Sequence, residues 1–194
     1  MNSLISELRI SLVATFSLAL ILCGIYPVVV WGVAQVLFPH KANGSLIVLD
    51  GKIIGSELLA QHFTAPKYFH PRPSSAGDTG YEANNSGASN LGPISKKLID
   101  SVKERVETYR AENTLPSTIP LPADAVTASA SGLDPHIGIR NAILQAARVA
   151  RERGISEETV TQRIMALTEG RDLGVFGEER VNVLKLNLAL DGKL

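Results

Sequence analysis

A segment of eight residues in the second half of the chain brings together side chains that could do chemistry. Ser129-Ala130-Ser131-Gly132-Leu133-Asp134-Pro135-His136 contains serine, aspartate and histidine, the three residue types of a serine hydrolase. In such an enzyme Ser131 would be the nucleophile and His136 the base. No serine in the chain lies in a Gly-x-Ser-x-Gly turn, and triads are assembled in space rather than along the sequence. A membrane-tethered hydrolase therefore stays open as one alternative.

The same segment has a second interpretation. It offers consecutive backbone amides, and a helix is predicted to begin shortly after it, an arrangement that can bind a phosphate or another anion. Serine, glycine, aspartate and proline also make ordinary turns that end in a helix cap. From the residues alone the simpler interpretation, a structural turn, is favoured.

The second candidate segment is a long loop. Residues 64–93 are rich in Pro, Gly, Ser and Asn and poor in aliphatic residues, which is typical of a linker or a mobile loop. Within it, however, Tyr68-Phe69-His70 forms an aromatic cluster flanked by Pro66, Pro71 and Pro73. Because long ordered loops in compact domains are usually functional, we predict an ordered loop that faces a partner, with a mobile excursion as the alternative.

Several kinds of chemistry are missing from the sequence. It has neither a Gly-x-x-x-x-Gly-Lys-Ser/Thr phosphate loop nor the Asp-Lys-Thr-Gly motif that carries the phosphorylated aspartate of P-type pumps. The chain is therefore not predicted to be the catalytic subunit of such a pump. No metal is predicted either, because no two histidines are four residues apart and the single cysteine, Cys23, has no histidine near it. The histidines are His40, His62, His70 and His136.

These segments must be positioned by the rest of the chain, which begins with an apolar stretch. No charged residue lies between Arg9 and Lys41, and about 20 apolar residues are enough to span a bilayer as a helix. We predict a transmembrane helix over residues 10–39, with a kink at Pro27. The alternative, a cleaved signal peptide, has a shorter apolar region of about 7–15 residues and ends in a small-residue cleavage site. The flanking charges do not decide the orientation.

Residues 40–194 are predicted to form one α+β domain, because strands and helices do not alternate regularly. All of the 19 basic and 19 acidic residues except Glu7 and Arg9 lie here, and this balance argues against nucleic acid as a partner. The predicted elements are a hairpin over Ser45–Gly55 that turns at Asp50-Gly51, helices over Ser56–Gln61, Pro93–Glu112 and Ile139–Arg153, a strand over Ala125–Ala128, a helix opened by Ser156 and a strand over Val181–Leu188.

An ordered set of short segments resembles the C subunit of the bacterial Kdp potassium-transporting ATPase, the KdpC family. The set runs from the apolar stretch to a few residues before the end, and each segment is weak alone. The segments are Tyr26-Pro27, Ala42-Asn43-Gly44-Ser45-Leu46, Gly55-Ser56, Phe63-Thr64, Tyr68-Phe69-His70-x-Arg72-Pro73-Ser74, Ser89-Asn90-Leu91-Gly92-Pro93, Thr127–His136, Val181-Asn182-Val183 and Leu186–Asp191.

The resemblance implies a non-catalytic subunit of a high-affinity, ATP-driven potassium importer. Its partners would be a channel-like potassium-selecting subunit, a P-type ATPase subunit, a small single-span subunit and the lipid bilayer. The subunit would support assembly and raise the affinity of the ATPase subunit for ATP through a transient complex with ATP, with no cofactor bound stably. The alternatives are the hydrolase and a generic anchored binding or assembly protein.

The resemblance also implies site residues. Those linked with nucleotide in the family correspond to Ser129, Ser131, Gly132, Leu133 and Gln145. Expected partner contacts are Tyr68, Phe69, His70, Arg72, Pro73, Ser89, Asn90, Asp134, Pro135 and His136. This chain departs from the family pattern at Gly138-Ile139, where Ser-Pro is common and a helix should start, and at Ala147 and Glu179, where proline is common.

The family's topology implies a location for each part of the chain. The chain would be a single-pass protein of the bacterial inner membrane, spanning it with residues 10–39. Residues 1–9 would be a short cytoplasmic tail, and the domain over residues 40–194 would lie outside the cytoplasm. ATP is cytoplasmic, so an extracytoplasmic domain and a direct ATP site in it are conflicting expectations. Of the two, we favour the topology.

Overall fold

The structure is a computed structural model that describes residues 2–194, and the side chains of residues 3–194. The chain forms two compact units that divide after Leu46. The first is helical, and the second contains strands and helices that do not alternate regularly. The predicted α+β class with a single apolar helix ahead of the domain is confirmed.

The apolar stretch forms one long helical segment. It consists of α1 (Asn2–Ala19), a π-helical turn (Leu20–Ile25) and α2 (Tyr26–Leu37). Residues Ser3–Leu37 have a mean hydropathy of 2.3, and this is the one helix of the described chain that is long and apolar enough to cross a membrane. The helix thus begins before residue 10 and ends before residue 39, and a four-residue helix, α3 (Pro39–Ala42), follows it.

The helical irregularity lies one turn ahead of Pro27. The amide of Tyr26 donates to the carbonyl of Ile21, five residues back, rather than to the carbonyl four residues back. A proline ring collides with the carbonyl four residues before it, and a wide π-type turn is one of the ways in which a helix relieves such a collision.

A hairpin begins the domain. Strands β1 (Leu46–Leu49) and β2 (Lys52–Ser56) pair, and Asp50 and Gly51 both have positive φ, 50° and 75°. Positive φ at both central residues is the geometry of a type I′ turn, so the predicted hairpin is confirmed. The predicted helix over Ser56–Gln61 is wrong. The Ser56 hydroxyl accepts from the amide of Leu58 and closes only a turn.

Helix α4 (Lys96–Asn113) is shorter at its start than predicted, since it follows Ser95 instead of Pro93. Ile94 is not part of its apolar face, and its side chain is 93% exposed. The apolar face packs against a small cluster of residues that follow the helix in sequence. The helix contributes Val102, Val106 and Tyr109, and the residues after it are Leu115, Leu121, Ala125, Val126 and Leu144.

The predicted strand over Ala125–Ala128 is wrong. A 3-10 turn (Ala123–Ala125) stands there, because both the amide and the hydroxyl of Thr127 donate to the carbonyl of Ala123, at 2.9 and 2.7 Å. The chain then becomes extended in β3 (His136–Gly138).

Two helices follow at the predicted places. Helix α5 (Ile139–Arg153) ends at Gly154, which has a φ of 65° as a C-terminal cap requires. Helix α6 (Glu157–Ala166) begins after Ser156, whose hydroxyl accepts from the amide of Thr159. Both predictions are confirmed, and α5 starts at Ile139 although Gly138 supplies no side-chain cap.

The C-terminal part of the chain contains two short strands and a helix. Strands β4 (Thr168–Glu169) and β5 (Arg180–Asn182) join β3 in an antiparallel sheet of order β3–β5–β4. The predicted strand over Val181–Leu188 is wrong beyond Asn182, because helix α7 (Val183–Leu190) begins there. The main core contains Phe69, Ile137, Ala142, Ala146, Val149, Ala150, Val160, Ile164, Val181, Val183 and Leu186.

Candidate functional site

The loop over residues 64–93 is held against the core by two side-chain amides. The backbone N–H of Phe69 donates to Oδ1 of Asn187 at 2.8 Å, and Nδ2 of Asn187 donates to the carbonyl of Phe69 at 3.0 Å. Gln145 pairs with His70 in the same way, at 2.8 Å to the N–H and 3.2 Å to the carbonyl. Each side-chain amide thus bonds to the loop backbone as a neighbouring strand would. These bonds satisfy backbone groups that have no sheet partner.

A buried arginine reinforces this attachment. Arg148 is 3% exposed, and its guanidinium donates to the carbonyls of Pro66 and Tyr68 and to Oε1 of Gln145. Its Nε donates to Oδ1 of Asn113 at 2.9 Å, which connects helices α4 and α5. The fork of donors on one arginine therefore fixes the backbone on the N-terminal side of the aromatic cluster.

The turn over residues 129–136 packs directly on the loop. The hydroxyl of Ser74 donates to the carbonyl of Gly132 at 2.6 Å, and the amide of Gly87 donates to the carbonyl of Ser131 at 3.0 Å. Gly132 has a φ of 67°, and a Cβ there would lie 2.7 Å from both the amide nitrogen of Ala76 and the carbonyl oxygen of Gly87. Only glycine allows the two segments to approach this closely.

An ion pair joins the same two segments. Nη1 of Arg72 lies 3.0 Å from Oδ2 of Asp134, and His136 stands between Asp134 and Glu169, with Nδ1 3.8 Å from the first carboxylate and Nε2 3.4 Å from the second. Although burial raises the pKa of Asp134, hydrogen bonds from His136 and then from Arg72 lower it below its ordinary value of 3.8. Asp134 is therefore ionised at neutral pH.

The residues predicted to be linked with nucleotide are mostly enclosed. Gln145 is 1% exposed and its amide is fully engaged, and Ser129, Gly132 and Leu133 are buried. Ser131 is exposed. The structure thus places four of the five residues inside the turn and its support, so they do not line an open pocket.

The residues predicted to contact partners are spread over a broader surface. Ser89 and Asn90 are exposed, whereas Phe69 is completely buried and contributes to the core. The remaining members are partly exposed: Tyr68, His70, Arg72, Pro73, Asp134, Pro135 and His136. The loop and the turn are brought together as one surface, but Phe69 can act on a partner only by positioning its neighbours.

A cleft of about 430 Å³ opens between the loop and helix α4. His70 and Pro73 line it together with Tyr81 and Arg105, which were not singled out from the sequence. The rings of Tyr81 and His62 stack with their centres 4.9 Å apart. Burial raises the pKa of Tyr81 to about 12, despite the opposing charge of Arg105. The only signal for Tyr81 in the sequence was its position as an aromatic residue among small polar ones.

Ser131 and His136, the two residues proposed for a hydrolase, are bonded to different groups. The hydroxyl of Ser131 accepts from the amide of Leu133, while the ring of His136 faces Asp134 and Glu169. In the described part of the chain, His, Cys, Asp and Glu form no group of three or more that could hold a metal ion.

Comparison with known proteins gives a family for the chain. The family model described as "KdpC: K+-transporting ATPase, c chain" matches residues 8–192. A protein of Nitratidesulfovibrio vulgaris named "Potassium-transporting ATPase KdpC subunit" is 53% identical over 97% of this chain and 95% of its own length. Proteins of the same name from Koribacter versatilis and Rhodospirillum rubrum are 50% and 53% identical, over 98% and 97% of this chain and 95% and 96% of their own lengths.

Proposed function

The chain belongs to the KdpC family of K+-transporting ATPase c chains, and we propose that it is a non-catalytic subunit of an ATP-driven potassium importer. The observation that carries the proposal is the extent of the match. The family model matches residues 8–192, which include both the apolar helix and the whole α+β domain. The proposed partners are a potassium-selecting channel-like subunit, a P-type ATPase subunit, a small single-span subunit and the lipid bilayer.

The first role we propose is assembly. The apolar helix Ser3–Leu37 has none of its most apolar window buried within this chain, so its side chains are available to lipid and to the helices of partners. Membrane helices associate through close packing and interhelical hydrogen bonds rather than through the hydrophobic effect. Gly24 lies in the π-helical turn and Gly32 in α2, and each lacks a side chain that would keep a neighbouring helix at a distance.

The second role is an effect on the ATPase subunit, whose affinity for ATP the chain would raise. We assign the domain to the outside of the cytoplasm and residues 1–9 to the inside. The enclosure of Gln145 and Gly132 favours an indirect effect, in which the apolar helix stabilises the form of the ATPase subunit that binds ATP well. Such coupling requires only that the chain bind that form more tightly than the other.

Co-purification tests the assembly role. The complex is isolated in mild detergent through a tag on the ATPase subunit, and the amount of this chain retained is measured. A matched control chain has residues 3–37 replaced by an unrelated apolar helix of the same length. The native chain is expected to be retained and the control chain to be lost. Isolation of the native chain as a lone monomer, with the partners present, would contradict the proposed assembly role.

Enzyme assays test the effect on ATP. Hydrolysis by the complex is followed against ATP concentration, with and without this chain. We expect the concentration for half-maximal rate to rise when the chain is left out. If the ATP concentration for half-maximal rate is unchanged, the proposed effect on ATP affinity is refuted and only the assembly role remains. Reporter fusions after Leu194 test the orientation, and a fusion that is active only in the cytoplasm would overturn it.

A further inference from the structure

Three apolar side chains project from the connection between β4 and β5. Leu173, Val175 and Phe176 are 91%, 70% and 65% exposed, and we call them the apolar tip. They lie within four consecutive residues, whereas single exposed apolar residues scattered over a surface are normal. A cluster of this kind is a mark of an interaction site.

The apolar tip is held in a defined shape by local bonds. The amide of Asp172 donates to the carbonyl of Phe176 at 2.8 Å, and the amide of Phe176 donates back to the carbonyl of Asp172 at 2.9 Å. An ion pair of 2.8 Å between Arg171 and Glu178 closes the base of the turn. Leu173 has a φ of 55°, which a leucine seldom adopts. Because these bonds order the turn before any partner binds, less conformational entropy would be lost on association.

The charges around the apolar tip favour a protein as its partner. Residues 171–180 carry one net negative charge, and Arg180 faces both Asp172 and Glu169, at 3.7 and 3.4 Å. A loop that binds the surface of an anionic bilayer combines apolar residues with an excess of lysine and arginine. The apolar tip lacks that excess.

The size of the apolar tip argues against a dimer of this chain. Even an aromatic side chain buries only about 150–250 Å². Three side chains therefore offer at most about 750 Å², less than the approximately 800 Å² per partner of a standard interface. The apolar tip is too small to hold two molecules together alone. It suits a molecule that is already held in a complex by another part of the chain.

From these observations we propose that the apolar tip inserts into an apolar groove on another subunit of the transport complex. This inference rests on the proposed function. Phe176 would be the anchor of the contact, because a few side chains that fill a pocket, aromatic ones above all, carry much of the binding energy of an interface.

Photo-crosslinking tests the proposal in cells that produce the whole complex. A benzophenone amino acid replaces Phe176 in one variant and Ile94 in the control, since Ile94 is a lone apolar residue that is 93% exposed. We expect an adduct between this chain and one other subunit at position 176, at least tenfold stronger than at position 94. Equal adducts at both positions, an adduct with lipid only, or a dimer of this chain would each overturn the proposal.

A second measurement separates this proposal from the function on which it rests. The double variant Leu173→Ser, Phe176→Ser is compared with Ile94→Ser for retention on the tagged ATPase subunit under repeated washing. The double variant is expected to lose at least tenfold in retention while its unfolding midpoint stays unchanged, and Ile94→Ser to behave as the native chain. If the native chain is retained and the double variant equally so, only the apolar tip proposal fails. If the native chain is not retained, the proposed function fails. If the double variant unfolds, the crosslinking result decides.

Discussion

The replacement Gln145→Leu tests whether Gln145 attaches the loop to the core. The side chain makes four hydrogen bonds, and two of them are to the N–H and the carbonyl of His70. Leucine has a roughly similar volume and can make none of them. Because each stranded buried polar group costs about 1–3 kcal/mol, and burial of the leucine recovers part of the loss, the free energy of unfolding should fall by about 3 kcal/mol.

The matched control is Gln162→Leu, the same chemical change at an exposed position of helix α6. Its effect should stay within about 0.5 kcal/mol. The assay is thermal unfolding of the full chain in detergent, followed by circular dichroism. A loss of about 3 kcal/mol corresponds to a midpoint about 6–12 °C lower for a domain of this size.

The two explanations of Gln145 predict different results. If the residue serves the loop, Gln145→Leu lowers the midpoint strongly and Gln162→Leu does not. A Gln145→Leu protein with the same unfolding midpoint as the native chain would refute the claim that Gln145 attaches the loop to the core. If such a protein also failed to raise the ATP affinity of the ATPase subunit, the residue would instead act on nucleotide, as the family resemblance implies.

Three further substitutions probe the same region, each measured by unfolding of the full chain. Gly132→Ala should lower the free energy of unfolding by roughly 3 kcal/mol or more, because the added Cβ meets backbone atoms at 2.7 Å. The control Gly154→Ala, with a similar φ and nothing within 4 Å of the added Cβ, should lower it by only about 1 kcal/mol. Equal losses would contradict the close approach at Gly132. Asn187→Leu should cost about 2–5 kcal/mol, since it strands the N–H and the carbonyl of the buried Phe69, and a loss below about 1 kcal/mol would contradict this. Burial lowers the pKa of His70 below 6.5, so as pH falls His70 takes up a proton in the unfolded chain before it does so in the folded one. The free energy of unfolding should therefore decrease from pH 6.5 down to the pKa of His70 in the folded chain. The His70→Gln protein should lack this decrease.

The local signals in the sequence predicted elements that their own residues define. Asp50-Gly51 supplied both positive φ values of the hairpin turn, Gly154 the cap of α5, and Ser156 the cap of α6. In these cases the preferred conformation of one or two residues agrees with the tertiary structure, which is typical of a sequence that folds to one state.

The predictions that failed did so where a neighbouring group competed for the backbone. Val181, Val183, Leu186 and Leu188 indicated a strand as far as Leu188. The chain leaves the strand after Asn182, because the Asn182 side chain accepts from the amide of Lys185 and starts helix α7. Ala125–Ala128 has strand-forming residues, but Thr127 bonds back to the carbonyl of Ala123. Short side chains that bond to nearby backbone can override a weak propensity.

The candidate site could be predicted only as two separate segments. The loop and the turn were both singled out, but the residues that attach the loop to the core are distant from it in sequence. Gln145 is 75 residues from His70, and Asn187 is 118 residues from Phe69. No periodicity or spacing connects such pairs, since they are set by the packing of α5 and α7 on the core. The enclosure of Gln145 had no signal in the sequence for the same reason.

Growth at low potassium tests most directly the claim that the chain is a subunit of a potassium importer. The chain is deleted from a host that has no other high-affinity potassium uptake, and growth is compared at low and at high potassium. We predict that the deletion stops growth only at low potassium. The native chain should restore growth, and a chain with residues 3–37 replaced by an unrelated apolar helix should not. Growth of the deletion strain at low potassium at the native rate would contradict the account, and would leave an anchored binding or assembly protein unrelated to potassium.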